Sequence, residues 1–146
     1  MTIADEAEMA AFGRALARCL RPGDVIGLCG PLGAGKTSLA RSMLFELGHL
    51  GEVPSPTFTL IQAYEPPDLR FPVLHADLYR IEDPDEIEEL GLDEALTDGA
   101  IIIEWPERIS VPFDNELRIA IEITGTTERR LTAKVPPPWE ARWPPR

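Results

Sequence analysis

Lysine is almost missing from this chain. Only Lys36 and Lys134 occur in 146 residues, and 14 basic side chains face 25 acidic ones, for a formal net charge of -11. Binding to a nucleic-acid backbone draws on clusters of Lys and Arg, so the chain is not expected to hold nucleic acid by itself. Arg14, Arg18 and Arg21 share one helical stripe, but three such arginines read as a solvated face. Long apolar runs are missing as well: none approaches the roughly 18 residues of a membrane helix. The N-terminus, with Asp5, Glu6 and Glu8, lacks the basic start of a secretory signal. Cysteine is scarce, and Cys19 and Cys29 read as two reduced core thiols rather than a disulfide or metal pair. Together these absences predict a cytoplasmic protein with no membrane contact.

What the chain does contain is a complete phosphate-binding loop. Gly30-Pro31-Leu32-Gly33-Ala34-Gly35-Lys36-Thr37 follows the apolar run Val25-Ile26-Gly27-Leu28-Cys29. A strand running into a glycine-rich turn that opens a helix is the context this motif requires. Such a turn aims backbone N–H groups at an anion and adds the positive end of a helix dipole. The residues expected to bind nucleotide run from Leu32 through Gly33, Ala34, Gly35, Lys36 and Thr37 to Ser38. Lys36 is placed to reach the β- and γ-phosphates, and the Thr37 hydroxyl to bind Mg²⁺. The expected ligands are therefore ATP or another nucleoside triphosphate, with Mg²⁺.

The remaining pattern is that of a single α/β domain over residues 1–135. Apolar spacing predicts a helix over 5–20, and a second runs from Gly35 to about Leu47. Strands are expected at the end of the 55–62 stretch, over 72–76 and over 100–103, with a closing hairpin of 117–123 and 131–135. Helices between the strands put them in a P-loop NTPase-like, three-layer fold whose central sheet is mixed and largely parallel. Residues Glu82 to Glu94 carry eight acids and no base, so this segment is either solubilising or a docking surface for a basic partner. Five of the 15 prolines lie in residues 136–146, which predicts an extended, mobile Pro/Trp-rich tail.

A phosphate-binding loop needs an acid at the end of a neighbouring strand. Ile101-Ile102-Ile103-Glu104 is the stronger candidate, and Asp77, after Val73-Leu74-His75-Ala76, is the other. One carboxylate can complete a metal shell while the other orients or deprotonates the attacking water. Thr57, in a loop held by Pro54 and Pro56, is either a sensor of the γ-phosphate or a local turn residue. Trp105 either lies over the nucleotide or plugs the sheet edge. Arg80 either neutralises phosphate charge or pairs with the acidic segment, and His75 reads as a packed core histidine.

Four motifs in one order carry a family resemblance. The loop ending Leu-Gly-Ala-Gly-Lys-Thr, Ser55-Pro56-Thr57-Phe58-Thr59-Leu60, His75-Ala76-Asp77-Leu78-Tyr79-Arg80 and Ile103-Glu104-Trp105-Pro106-Glu107 together resemble the TsaE (YjeE) family of small bacterial ATPases. The resemblance implies an ATPase of tRNA threonylcarbamoyladenosine formation that works with TsaB and TsaD and meets tRNA only through that complex. It implies Mg²⁺ bound through Thr37 and Glu104, with Asp77 needed for hydrolysis. Two departures stand out: Pro31 replaces the family's usual acid, and Met9 stands where a threonine near the nucleotide is common. A small-molecule kinase or a non-hydrolysing nucleotide switch would use the same loop. The kinase would also need an acceptor pocket and usually an arginine-bearing lid, where residues 82–99 offer acids. No arginine finger stands in an assured position, so hydrolysis by the isolated chain is expected to be slow.

Overall fold

Two strands of five residues form the centre of the molecule, because residues 25–28 and 100–103 are apolar enough to be covered on both faces. The computed structural model describes residues 1–53 and 61–145. In chain order the elements are β1 (Thr2–Ile3), α1 (Glu6–Cys19), β2 (Val25–Cys29), α2 (Lys36–Leu47), β3 (Ile61–Tyr64) and β4 (Val73–Asp77). They continue with α3 (Asp85–Glu88), α4 (Leu92–Ala95), β5 (Ala100–Glu104), β6 (Glu116–Ile123) and β7 (Arg129–Lys134). Short 3₁₀ turns follow β5 at Pro106–Arg108 and β7 at Pro137–Arg142. Among the described residues, no helix is long and apolar enough to cross a membrane.

The strands form one sheet in the order β1-β7-β6-β2-β5-β4-β3. The inner four, β6, β2, β5 and β4, run parallel, and the strands outside them pair antiparallel. The α/β architecture with a mixed, largely parallel sheet and a closing β6–β7 hairpin is thus the one anticipated. The order differs from chain order in that β6 inserts beside β2, opposite β5, and β1 extends the far edge.

Side chains alternate between the two faces, as strand geometry demands. Ile26, Leu28 and Ile102 join the core beneath α1 and α2, while Val25, Ile101 and Ile103 join a second cluster with Ile81, Ile87 and Leu92. Helix α1 buries Met9, Phe12 and Leu16 at helical spacing, and the Asp5 carboxylate caps it by accepting from the Glu8 N–H at 2.9 Å. The parallel β4–β5 pairing sets Asp77 opposite Glu104, so both acids lie at the carboxyl edge of the sheet, where β2 also ends.

The described part of the tail is not the mobile extension its composition suggests. Trp139 is fully buried in the α1 face of the core, and Trp143 meets Phe12 edge-on, with ring centroids 6.2 Å apart. Arg142 donates to both Asp24 oxygens at 2.6 and 3.0 Å and to the Cys19 carbonyl at 2.8 Å, and lies 3.9 Å from the Trp139 ring centroid. The physical reason is that burying an indole removes roughly 150–250 Å² from water. Prolines already restrict the chain, so ordering it costs less entropy.

Candidate functional site at the carboxyl edge of the sheet

The loop from Gly30 to Gly35 turns the chain from β2 into α2, and two of its glycines are sterically required. Gly30 has φ +150°, and a Cβ there would sit 2.7 Å from the Ile121 carbonyl oxygen. Gly35, the residue preceding α2, is left-handed at φ 111° and offers no side chain to cap the helix. The first-turn N–H groups of α2 are therefore left without a side-chain cap, which suits an anion at this 12-residue helix. Leu32 stands out at the loop tip with 65% exposure, whereas Ala34 is buried beneath it.

Lys36 folds back over this loop. Its ammonium donates to the Pro31 carbonyl at 2.9 Å and to the Gly30 carbonyl, and lies 4.5 Å from the Trp105 ring centroid. Burial pushes its pKa below 10.5, against the opposing pull of Glu104, Asp77 and Glu107. The ammonium is thus held where the loop wraps, by weak neutral acceptors that an anion can replace.

Thr37, one residue on, faces the end of β5. Its hydroxyl donates to Glu104 Oε1 at 2.8 Å and lies 3.0 Å from Oε2. The Glu104 carboxylate also accepts from His75 Nε2 at 2.7 Å, and His75 is fully buried. A hydroxyl and a carboxylate in contact are hard oxygen donors of the kind Mg²⁺ takes. Among the described residues no three His, Cys, Asp or Glu side chains form a self-sufficient metal cage. A cation here would take its other ligands from phosphate and water, as Mg²⁺ usually does.

Asp77 is 5% exposed at the neighbouring strand end, and its Oδ1 accepts from the Tyr79 N–H at 3.0 Å. The Tyr79 and Trp105 rings pack at a 41° tilt with centroids 5.0 Å apart. Trp105 is the one described non-glycine residue with positive φ, at 61°, although it precedes a proline, a position that normally favours extended backbone. Its N–H donates to the Leu28 carbonyl at 3.2 Å, which ties the strained residue to the strand feeding the loop.

Beside the loop lies an open cavity of about 780 Å³, lined by Met9, Arg14, Gly33, Gly35, Ser38 and Arg129 among others. The Arg129 Nε–H donates to the Ala34 carbonyl at 3.1 Å, bringing the start of β7 to the loop. Met9 lines this space too, so the first helix does reach the site despite its departure from the expected threonine.

The structure therefore brings together Lys36, Thr37, Asp77, Glu104 and Trp105, with Gly33, Gly35 and Ser38 facing the adjoining cavity. Thr57 lies outside the described residues. Sequence reasoning missed two participants. His75 is buried as expected, but its partner is the site carboxylate rather than the core. Arg129 had no local signal beyond its place at a hairpin.

Comparisons with known proteins identify the family. The family described as "Threonylcarbamoyl adenosine biosynthesis protein TsaE" matches residues 3–132. The chain is 43% identical over 109 residues to the tRNA threonylcarbamoyladenosine biosynthesis protein TsaE of Rickettsia typhi, covering 74% of each chain. It is 38% identical over 143 residues to the protein of that name from Streptomyces coelicolor, covering 87% of this chain and 97% of the relative. The crystal structure of Bacillus subtilis YdiB superposes with a TM-score of 0.75 at 31% identity, over 92% of this chain and 83% of that one. With the loop, the paired strand-end acids and a match across nearly its whole length in agreement, the chain belongs to the TsaE family.

Proposed function

We propose that this protein is a Mg²⁺-dependent ATPase serving tRNA threonylcarbamoyladenosine formation, the process for which its relatives are named. The observation that carries the reading is the contact between the Thr37 hydroxyl and the Glu104 carboxylate at 2.8 Å, one residue beyond a lysine in a glycine-rich loop. Thr37 and Glu104 are the residues that would hold Mg²⁺, whose charge would offset that of the β- and γ-phosphoryl oxygens. Lys36 exchanges the Gly30 and Pro31 carbonyls for phosphate oxygens. Asp77 orients the attacking water and accepts its proton. Thr57 senses the γ-phosphate. The base and sugar occupy the cavity between α1 and the loop, beside Arg129, with Trp105 closing over Lys36.

Turnover by the chain alone is slow in this reading, and TsaB and TsaD raise it, with tRNA met only through that complex. The protein acts in the cytoplasm. The test is ATP hydrolysis with Mg²⁺, first by the purified chain and then with TsaB and TsaD added. Stimulation by the pair is the expected result. Tight nucleotide binding with no hydrolysis under either condition would overturn the ATPase reading and turn attention to a switch or a kinase.

A further inference from the structure

Resting on that metal reading, we propose that His75 is a positioning residue for the metal site, holding the Glu104 carboxylate through its Nε2–H. The two side chains meet because of strand pairing. In the parallel β4–β5 register His75 stands opposite Ile102, and Glu104 lies two residues on, on the same face. The contact is 2.7 Å, with His75 fully buried and Glu104 2% exposed. A nitrogen and a carboxylate oxygen this close share a proton, and a buried carboxylate has no bulk water to fix its orientation.

The described donors to this carboxylate are the Thr37 hydroxyl and His75. When the Thr37 oxygen turns a lone pair to a cation, His75 is the donor that remains to hold the carboxylate. Outer partners of this kind are general at metal sites, and losing one typically costs about 10- to 100-fold in metal affinity. His75 sits behind Glu104 and away from solvent, so it acts through the carboxylate and not on the reacting atoms.

Two isosteric substitutions test this. In His75→Gln the amide nitrogen replaces Nε2, whereas in His75→Asn it falls near the Nδ1 position, short of Glu104. Mn²⁺ is titrated by electron paramagnetic resonance into the full chain holding a non-hydrolysable ATP analogue, and analogue affinity is measured separately in chelator. We expect His75→Asn to lose about 10- to 100-fold in Mn²⁺ affinity, His75→Gln to recover most of it, and metal-free analogue binding to stay unchanged in both. A general packing defect would instead lower metal-free binding too. Equal Mn²⁺ affinity in His75→Asn and the parent chain, or equal loss in both variants, would overturn the proposal. A parent chain that binds the analogue but takes up no Mn²⁺ would overturn the metal reading itself.

Discussion

At the carboxyl end of β2 the charged side chains are arranged around a space, whereas just before its amino end they are arranged around each other. Lys36 and Glu104 converge on the loop: the Lys36 ammonium rests on main-chain carbonyls, and the Glu104 carboxylate is shared between Thr37 and His75. At the other end Asp24 is closed off: Arg142 grips both its oxygens, and the Arg21 N–H donates to Oδ2 at 2.7 Å. Both ends bury charge, but only one leaves it available to a ligand. In open α/β sheets, ligand sites sit at the carboxyl edge. The amino edge is free to be spent on stability.

That contrast is sharpest at Lys36. Lys36→Ala should abolish nucleotide binding in calorimetric titration while leaving the melting temperature unchanged or higher, because a poorly compensated buried ammonium is removed. Unchanged affinity would erase the distinction between the two ends. Next in size, Asp77→Asn should lower ATP turnover by about 10²- to 10⁴-fold, the usual reach of a lost general base, with nucleotide affinity nearly preserved. Glu104→Gln should share the loss of turnover but raise the Mg²⁺ concentration needed for half-maximal rate.

At the opposite end the roles reverse. Arg142→Ala leaves Asp24 buried without its counter-ion and should cost about 3 kcal/mol of unfolding free energy, read by denaturant titration, with nucleotide affinity untouched. A stable variant would restore the reading of an extended, mobile tail.

The smallest effect concerns Cys29, where β2 meets the loop. Burial, then the nearby Glu107, pushes its thiol from 9.0 up to about 11, against the lowering pull of Arg118. A raised folded pKa means that the thiol's contribution to stability is complete below pH 9 and is lost as pH rises from 9 through 11. The alkylation rate of Cys29 in the folded chain should therefore keep climbing to about pH 11, where a free thiol of pKa 9.0 has already levelled off. Levelling near pH 9 would show the thiol to be open to solvent.

How much of this was legible depended on whether the relevant partners were neighbours in sequence. The glycine-rich loop announced itself because strand, turn and helix are consecutive, and Glu104 was visible as an acid ending an apolar run. His75 and Glu104 are 29 positions apart and meet only through β4–β5 pairing, so no local pattern marked the histidine. Arg129 reaches Ala34 across 95 positions for the same reason. The tail misled because proline composition reports what the chain cannot form locally, and is silent on a pocket that waits elsewhere for Trp139. Strand order was equally hidden, since β6 takes its place beside β2 through a crossover.

The placement of the tryptophans also has an optical consequence. Trp105 lies within 4.5 Å of the Lys36 ammonium and against Tyr79, while Trp139 is sealed in the core under Arg142 and Trp143 packs on Phe12. The chain thus carries an indole at the loop and two more beside the Arg142–Asp24 clamp at the far end of the same strand. Emission from a Trp105→Phe variant follows the clamp alone, and the difference from the parent chain isolates events at the loop. A single cuvette can then watch ligand arrival and loss of the clamp as separate signals.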